Sequence, residues 1–217
     1  MIGVSQYESK LVFLDLDDMT LDLRGSIIPF NNKFFGITIT PEQYAGNWRN
    51  TPWASNYNSQ EEYDVMIKNE WWPSVIKAGL YENVRAMPDA RPVLLRLQKC
   101  GVPFAAITSR PEKIQNATMV CLERELADIQ LQDVVFMGDR GHGAPKGEVV
   151  AQMGGVMLMD DVYDQIKSAT DCRVMGLLFG NAPDVIDVQA DEGNLLYRAK
   201  NWLDAESTIL QMLGNAV

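Results

Sequence analysis

The chain has 217 residues, 47% of them hydrophobic, enough for one medium domain, or one domain with an insertion, around a single core. A formal net charge of −10 opposes binding to nucleic-acid backbones, and three cysteines without metal-ligand spacing point to free thiols in a reducing, cytoplasmic setting. No apolar stretch is long enough to span a bilayer and no secretion signal opens the sequence, while a single histidine, His142, removes imidazole-rich zinc sites and argues against a Ser-His-Asp triad.

The first element is the apolar run Leu11 to Leu14, a buried strand that ends on three carboxylates, Asp15, Asp17 and Asp18. Alternate residues of an extended chain share a face, so Asp15 and Asp17 can reach one site. Like charges this close disfavour ionisation unless a cation lies between them. From Leu23 to Met87 the texture changes to Asn, Trp and Tyr, with helices expected near Thr40–Asn47 and Gln60–Lys68. From Pro88 onward helix and strand alternate. A helix over Val93–Lys99, stopped by Gly101, precedes the strand Val102–Ile107, and a helix over Glu112–Leu126 precedes the strand Asp133–Met137. Then come a helix over Lys146–Met153, the strand Val156–Met159, a helix over Val162–Ala169, the strand Arg173–Phe179 and an amphipathic helix over Trp202–Leu213.

This alternation implies an α/β fold with a parallel sheet covered on both faces, and in such sheets ligands bind beyond the carboxyl ends of the strands. Three strands end there in polar residues: Asp15 and Asp17, then Thr108 and Ser109, then Asp160 and Asp161. Lys146 opens the helix before the last of these. One such cluster is a weak signal, since Asp-x-Asp also occurs in solvated loops; four at one sheet edge are a strong one.

Asp15-Leu16-Asp17, Ile107-Thr108-Ser109, Lys146 and Asp160-Asp161 resemble the four ordered motifs of the haloacid dehalogenase superfamily. The resemblance spans nearly the whole chain. It implies a Rossmann-like catalytic core over residues 1–22 and 88–217 and a small, mainly helical cap over residues 23–87. The ITSRP segment (Ile107–Pro111), MDDVYDQI (Met159–Ile166), Gly25–Gly36 and Leu177–Pro183 resemble the small 5'(3')-deoxyribonucleotidases within it. There is one departure. The family places Thr or Val where this chain has Met19, with Thr20 displaced by one, and often Gly where it has Asp18.

The resemblance implies a phosphomonoesterase that uses Mg²⁺ to bridge the carboxylates and the phosphate. Asp15 is then the nucleophile that forms an aspartyl-phosphate, and Asp17 the acid that protonates the leaving oxygen and the base that later activates water. The metal set implied is Asp15, the Asp17 carbonyl, Asp160 and, through a water, Asp161. Thr108, Ser109 and Lys146 are expected to hold the phosphoryl oxygens.

Each assignment has a plainer rival. Thr108, Ser109 and Asp161 are all residue types that cap helices, and Lys146 could be a solvated first-turn lysine, although cations are disfavoured at a helix N-terminus. Lys113 competes with it from another helix. His142, in a Gly-rich loop, reads as a surface residue. In the cap, Trp48, Trp53, Trp71 and Trp72 suit stacking on a base, but a small cap also needs large side chains for a core. Trp71 and Trp72, near the cap's return, are the expected specificity residues.

The expected substrate is a small phosphorylated metabolite, foremost a nucleoside monophosphate, and not a nucleic-acid polymer or a membrane. A sugar phosphate, a phosphomutase step and a non-catalytic binding protein of the same fold are the alternatives.

Overall fold

The computed structural model describes residues 10–44, 53–54, 57–138, 144–180, 189–191, 193 and 195–215. The sheet is built on β1 (Val12–Leu14), whose three residues are fully enclosed because it lies in the middle. It pairs in parallel with β2 (Phe104–Thr108) on one side and β4 (Met157–Asp160) on the other, with Leu14 opposite Ala106 and Met159. With β3 (Leu131–Phe136), β5 (Met175–Phe179) and β6 (Leu196–Ala199), the order is β3-β2-β1-β4-β5-β6, every pairing parallel.

The period of two divides the strands between two apolar clusters. Phe13, Ala105, Ile107, Leu158 and Leu178 face one side, under α7 (Gly147–Gln152) and α8 (Tyr163–Asp171). Val12, Leu14, Phe104, Ala106, Met157, Met159, Leu177 and Phe179 face the other. There they meet α5 (Ala90–Lys99) and the closing helix α9 (Trp202–Asn215) through Leu94, Leu97, Trp202 and Ile209. Alternation of helix and strand therefore yields the doubly covered sheet expected from the pattern.

Between β1 and α5 the chain folds into helices. The first, α1 (Leu23–Phe35), was not anticipated, because Gly25 and Pro29 both oppose a helix interior. Pro29 has no N–H to give to the Gly25 carbonyl one turn back. Asp22 compensates at the start, accepting from the Gly25 N–H at 2.8 Å, and burial of Leu23, Ile27 and Ile28 supplies the driving force.

The helix expected from Gln60 to Lys68 runs further and is irregular: α2 (Gln60–Met66), a π turn at Ile67–Trp71, and α3 (Trp72–Lys77). Pro73 accounts for the π turn, since it lacks a donor and its ring crowds the carbonyl four residues earlier; widening the turn relieves both. A short α4 (Leu80–Asn83) follows and packs on α6 (Gln115–Glu125) of the core. Leu23, Tyr63, Trp71 and Val84 share one apolar cluster with the sheet face above.

Smaller differences have local causes. Of the helix expected over Thr40–Asn47, a 3₁₀ turn at Pro41–Gln43 forms, closed by Gln43 Oε1 accepting from the Thr40 N–H at 2.9 Å. The rest of that segment, like Trp48 and His142, lies outside the described residues. The helix expected over Glu112–Leu126 opens as a 3₁₀ turn, Glu112–Ile114, because Pro111 precedes it. The edge strand β6 was missed: it is four residues long and its middle two are only half-buried, so it has no apolar run.

Candidate active site

Beyond Leu14 the backbone holds the sheet ladder for one more bond, Asp15 N–H to Met159 O at 2.9 Å, and then turns sharply. The Leu16 carbonyl accepts from both the Thr20 and Leu21 N–H groups, and Asp18 takes a left-handed conformation with φ of 57°. That conformation explains the Gly common at this position in the related family, and Asp tolerates it better than most residues. The Asp18 carboxylate accepts from the Arg24 N–H at 2.6 Å, with the Arg24 guanidinium 3.4 Å away. Burial pushes its pKa up to about 6 despite Arg24.

Met19 is fully buried and its carbonyl accepts from the Trp202 indole at 2.9 Å, while the displaced Thr20 hydroxyl donates to the Asp15 carbonyl at 2.7 Å. The departure in sequence is therefore absorbed: Met19 fills the apolar position and Thr20 ties the turn to the residue it must hold. Bonds from Asp22 N–H to Arg85 O and from Met87 N–H to Thr20 O clasp the turn to the chain returning from the insertion.

At the centre, Asp15 is 5% exposed and Lys146 2%. The Lys146 ammonium lies 2.5 Å from Asp15 Oδ1 and 2.6 Å from Asp160 Oδ2. Asp160 Oδ1 accepts from the Val162 N–H at 2.9 Å, just ahead of α8. Val162 is the N-cap of that helix and no side chain caps it, so the capping role open to Asp161 is not taken. Asp15, Asp160 and Asp161 bring carboxylate oxygens within 4.8 Å of one another.

Lys146 is placed by two neighbours. Its N–H donates to the buried Gln165 Oε1 at 2.9 Å, and Gly147 lets α7 approach α8 so closely that a Cβ there would lie 2.2 Å from the Ser168 carbonyl oxygen. Gln165 was not singled out in the sequence, where a glutamine inside a helix carries no signal.

Three carboxylates around one ammonium leave excess negative charge in a dry site. Burial, with Asp160 and Asp17 adding to it, raises Asp15 to about 7 against the pull of Lys146. Burial and Asp160 likewise hold Asp161 well above the carboxylate range. The Lys146 ammonium is disfavoured by burial, but Asp15 and Asp160 outweigh that and hold it protonated.

Asp17 takes a different partner. Arg110 grips its carboxylate, Nη2 donating to Oδ1 at 2.6 Å and Nε to the two oxygens at 3.1 and 3.2 Å. Arg110 stood in the ITSRP segment without a role; a cation at a strand end among carboxylates was the available signal. Thr108 is fully buried and its hydroxyl accepts from the Arg110 N–H at 3.2 Å, a bond within the loop that leaves the start of the following helix, at Pro111, without a side-chain cap. Ser109 is exposed beside it.

The two tryptophans part company. Trp71 is buried and its indole donates to the buried Asn31 Oδ1 at 2.7 Å, which makes it a core residue of the insertion and corrects the expectation that it stacks on a substrate. Trp72 is half-buried, with the Lys113 ammonium 3.8 Å from its ring centre and Tyr81 stacked at 6.0 Å. Trp53, also fully buried, gives its indole to Asn32 at 3.1 Å. Two tyrosines of the segment between β1 and α5, Tyr44 and Tyr81, lie close enough to the acidic turn to feel its charge. Burial raises both phenols, reinforced by Asp18 for Tyr44 and by Asp17 for Tyr81.

Among solved structures, a haloacid dehalogenase-like family hydrolase from Streptococcus pneumoniae superposes with a TM-score of 0.67 at 15% identity, covering 95% of this chain and 100% of that one. A predicted phosphatase from Clostridium acetobutylicum gives 0.65 at 12% identity, with 93% and 98% covered. A haloacid dehalogenase family hydrolase from Deinococcus radiodurans, solved with bound phosphate and sodium, gives 0.62 at 14% identity, with 97% and 98% covered. At these identities the likeness concerns the fold. No curated protein matches the chain. The family model described as 5' nucleotidase, deoxy (pyrimidine), cytosolic type C protein matches residues 9–213, nearly the full length. With the four motifs at one sheet edge, that match makes the chain a member of this nucleotidase family and a phosphatase of the haloacid dehalogenase type.

Proposed function

We propose that the chain hydrolyses nucleoside monophosphates in a Mg²⁺-dependent reaction through an aspartyl-phosphate on Asp15. The observation that carries the reading is the buried set of Asp15, Lys146 and Asp160, with Asp161 alongside. A buried lysine held by two carboxylates contributes little to stability, because desolvation cancels most of the attraction. It does provide a fixed positive charge for a dianion next to a nucleophile.

The donor set fits Mg²⁺. Asp15, Asp160 and Asp161 offer hard oxygen ligands within 4.8 Å of each other, and burial with crowding by neighbouring carboxylates raises the pKa values of Asp15 and Asp161, as expected of carboxylates short of a cation. Bound there, Mg²⁺ would supply Lewis-acid stabilisation of phosphoryl charge. In the first step an Asp15 carboxylate oxygen forms a bond to phosphorus. The ester oxygen leaves with its bonding electrons and takes a proton from Asp17. In the second, Asp17 removes a proton from water as the water oxygen attacks phosphorus, and Asp15 leaves as a free carboxylate with inorganic phosphate released. Lys146 neutralises Asp15 and phosphoryl charge throughout, and Thr108 and Ser109 flank the phosphate from the end of β2.

The nucleotide part of the reading rests on family membership and on the aromatic cap, with Tyr44, Tyr81 and Trp72 its remaining candidates beside the substrate. A cytoplasmic setting is supported by three free cysteines, Cys100, Cys121 and Cys172. Among the described residues no helix is long and apolar enough to cross a membrane.

A panel of nucleoside monophosphates, sugar phosphates and p-nitrophenyl phosphate, assayed for phosphate release with Mg²⁺ and with EDTA, tests the whole reading. Turnover of sugar phosphates with nucleotides ignored would remove the nucleotidase assignment and leave the phosphatase. Undiminished turnover in EDTA would remove the metal.

A second test needs no turnover. Mg²⁺ binds ionised carboxylates, and Asp15, with its pKa near 7, and Asp161, higher than normal, hold protons at mildly acidic pH. The rise in melting temperature on adding Mg²⁺ should therefore be larger at pH 8 than at pH 5. An equal rise at both would place the cation elsewhere.

A further inference from the structure

Among the described residues, Arg110 is a buried cation of the site that the two-step chemistry leaves without a part. The residue is 2% exposed, and each of the fork's nitrogens is occupied. Nε and Nη2 grip Asp17, and Nη1 donates at 3.0 Å to the Thr118 hydroxyl, which in turn donates to the Ile114 carbonyl at 3.0 Å. The guanidinium also lies 4.8 Å from the ring centre of Tyr81, in α4 of the insertion. Tyr81 is stacked by Trp72, and Trp72 carries the Lys113 ammonium at 3.8 Å. Two stacked rings between two cations, Lys113 and Arg110, thus link the Glu112–Ile114 turn through the inserted segment to Asp17.

A guanidinium fork sets the plane of a carboxylate as well as its position, which an ammonium cannot do. Asp17 needs that control. It opens a turn whose next residue, Asp18, is left-handed, and its side chain is not one of the Asp15, Asp160 and Asp161 group. Proton transfer to a leaving oxygen requires hydrogen-bond reach and alignment, so a loosened acid loses rate even when every other group is in place.

We infer that Arg110 is a positioning residue for Asp17, and that Tyr81 holds Arg110 in place, so that the cap's seat on the core aims the acid. The inference rests on the phosphatase reading above.

The leaving group provides the test. Departure of a nucleoside or other alkyl oxygen needs the proton from Asp17, whereas 2,4-dinitrophenolate leaves without one. The constant kcat/KM covers only the steps up to that departure, so the later attack of water does not enter. Arg110→Lys, which keeps the charge and removes the fork, should lower kcat/KM for an alkyl phosphate by about 10- to 100-fold and that for 2,4-dinitrophenyl phosphate by less than about 3-fold. In Arg110→Ala, added guanidinium ion should restore part of the alkyl phosphate activity. If the buried arginine proves indispensable for folding, Tyr81→Leu carries the same comparison, since it leaves the ion pair and removes the ring. Its loss should be smaller and fall again on the alkyl phosphate.

Equal losses on the two substrates in a folded variant would make Arg110 a structural strut and overturn the inference while leaving the phosphatase standing. A native protein that cleaves neither ester would remove the phosphatase reading and this inference with it.

Discussion

Asp15→Asn is expected to reduce phosphomonoester hydrolysis at least about 10³-fold, some 4 kcal/mol of barrier, because a neutral amide is a poor nucleophile and a weaker Mg²⁺ ligand. The variant should nevertheless fold. Burial and the neighbouring Asp160 and Asp17 raise Asp15 to about 7, so the ionised side chain is held against its preference. The sign follows from linkage: a carboxylate whose folded pKa lies above its unfolded value of 3.8 detracts from stability progressively as pH rises from about 4 through 7. An uncharged amide removes that burden. In metal-free protein at pH 8 the melting temperature of Asp15→Asn should therefore equal or exceed that of the native chain, while phosphate release is lost. Full activity would dismiss Asp15 as nucleophile, and a fall in melting temperature would mean that its pairing with Lys146 outweighs its burial.

The candidate site could be picked out in the sequence because its residues are poorly explained by folding alone. Three carboxylates after an apolar strand and a lysine at a helix start both contradict ordinary preference, and the parallel register then carries them to one place. Leu14, Ala106 and Met159 lie abreast, so the residues just beyond them converge. What stayed hidden was decided by tertiary contacts. Pro29 and Gly25 are unfavourable inside a helix, yet α1 forms over them because Leu23, Ile27 and Ile28 are buried. Trp71 and Trp72 are adjacent and chemically alike, and only the fold shows that one bonds Asn31 in the interior while the other lies beside Lys113. Arg110 illustrates the same limit. Its identity was plain, but its role depends on Asp17, 93 positions earlier in the chain.

Asp17→Asn should separate the two halves of the reaction. Turnover of a nucleoside monophosphate is expected to fall at least about 10²-fold, the usual scale for losing a general acid–base group. Mg²⁺ affinity should change far less, because the Asp17 side chain is engaged by Arg110 and lies outside the set formed by Asp15, Asp160 and Asp161. With 2,4-dinitrophenyl phosphate the first step needs no proton, so Asp15 should still be phosphorylated. The second step has lost its base, and the phosphoenzyme should accumulate. Rapid mixing should then show a burst of dinitrophenolate equal to the enzyme concentration, followed by slow release of phosphate. The native enzyme, which retains the base, should show a smaller burst or none. A variant with no burst and no Mg²⁺ binding would mean that the Asp17 carboxylate itself holds the metal. A variant with no burst but intact Mg²⁺ binding would mean that Asp17 is needed to set Asp15 for attack, not only to move protons.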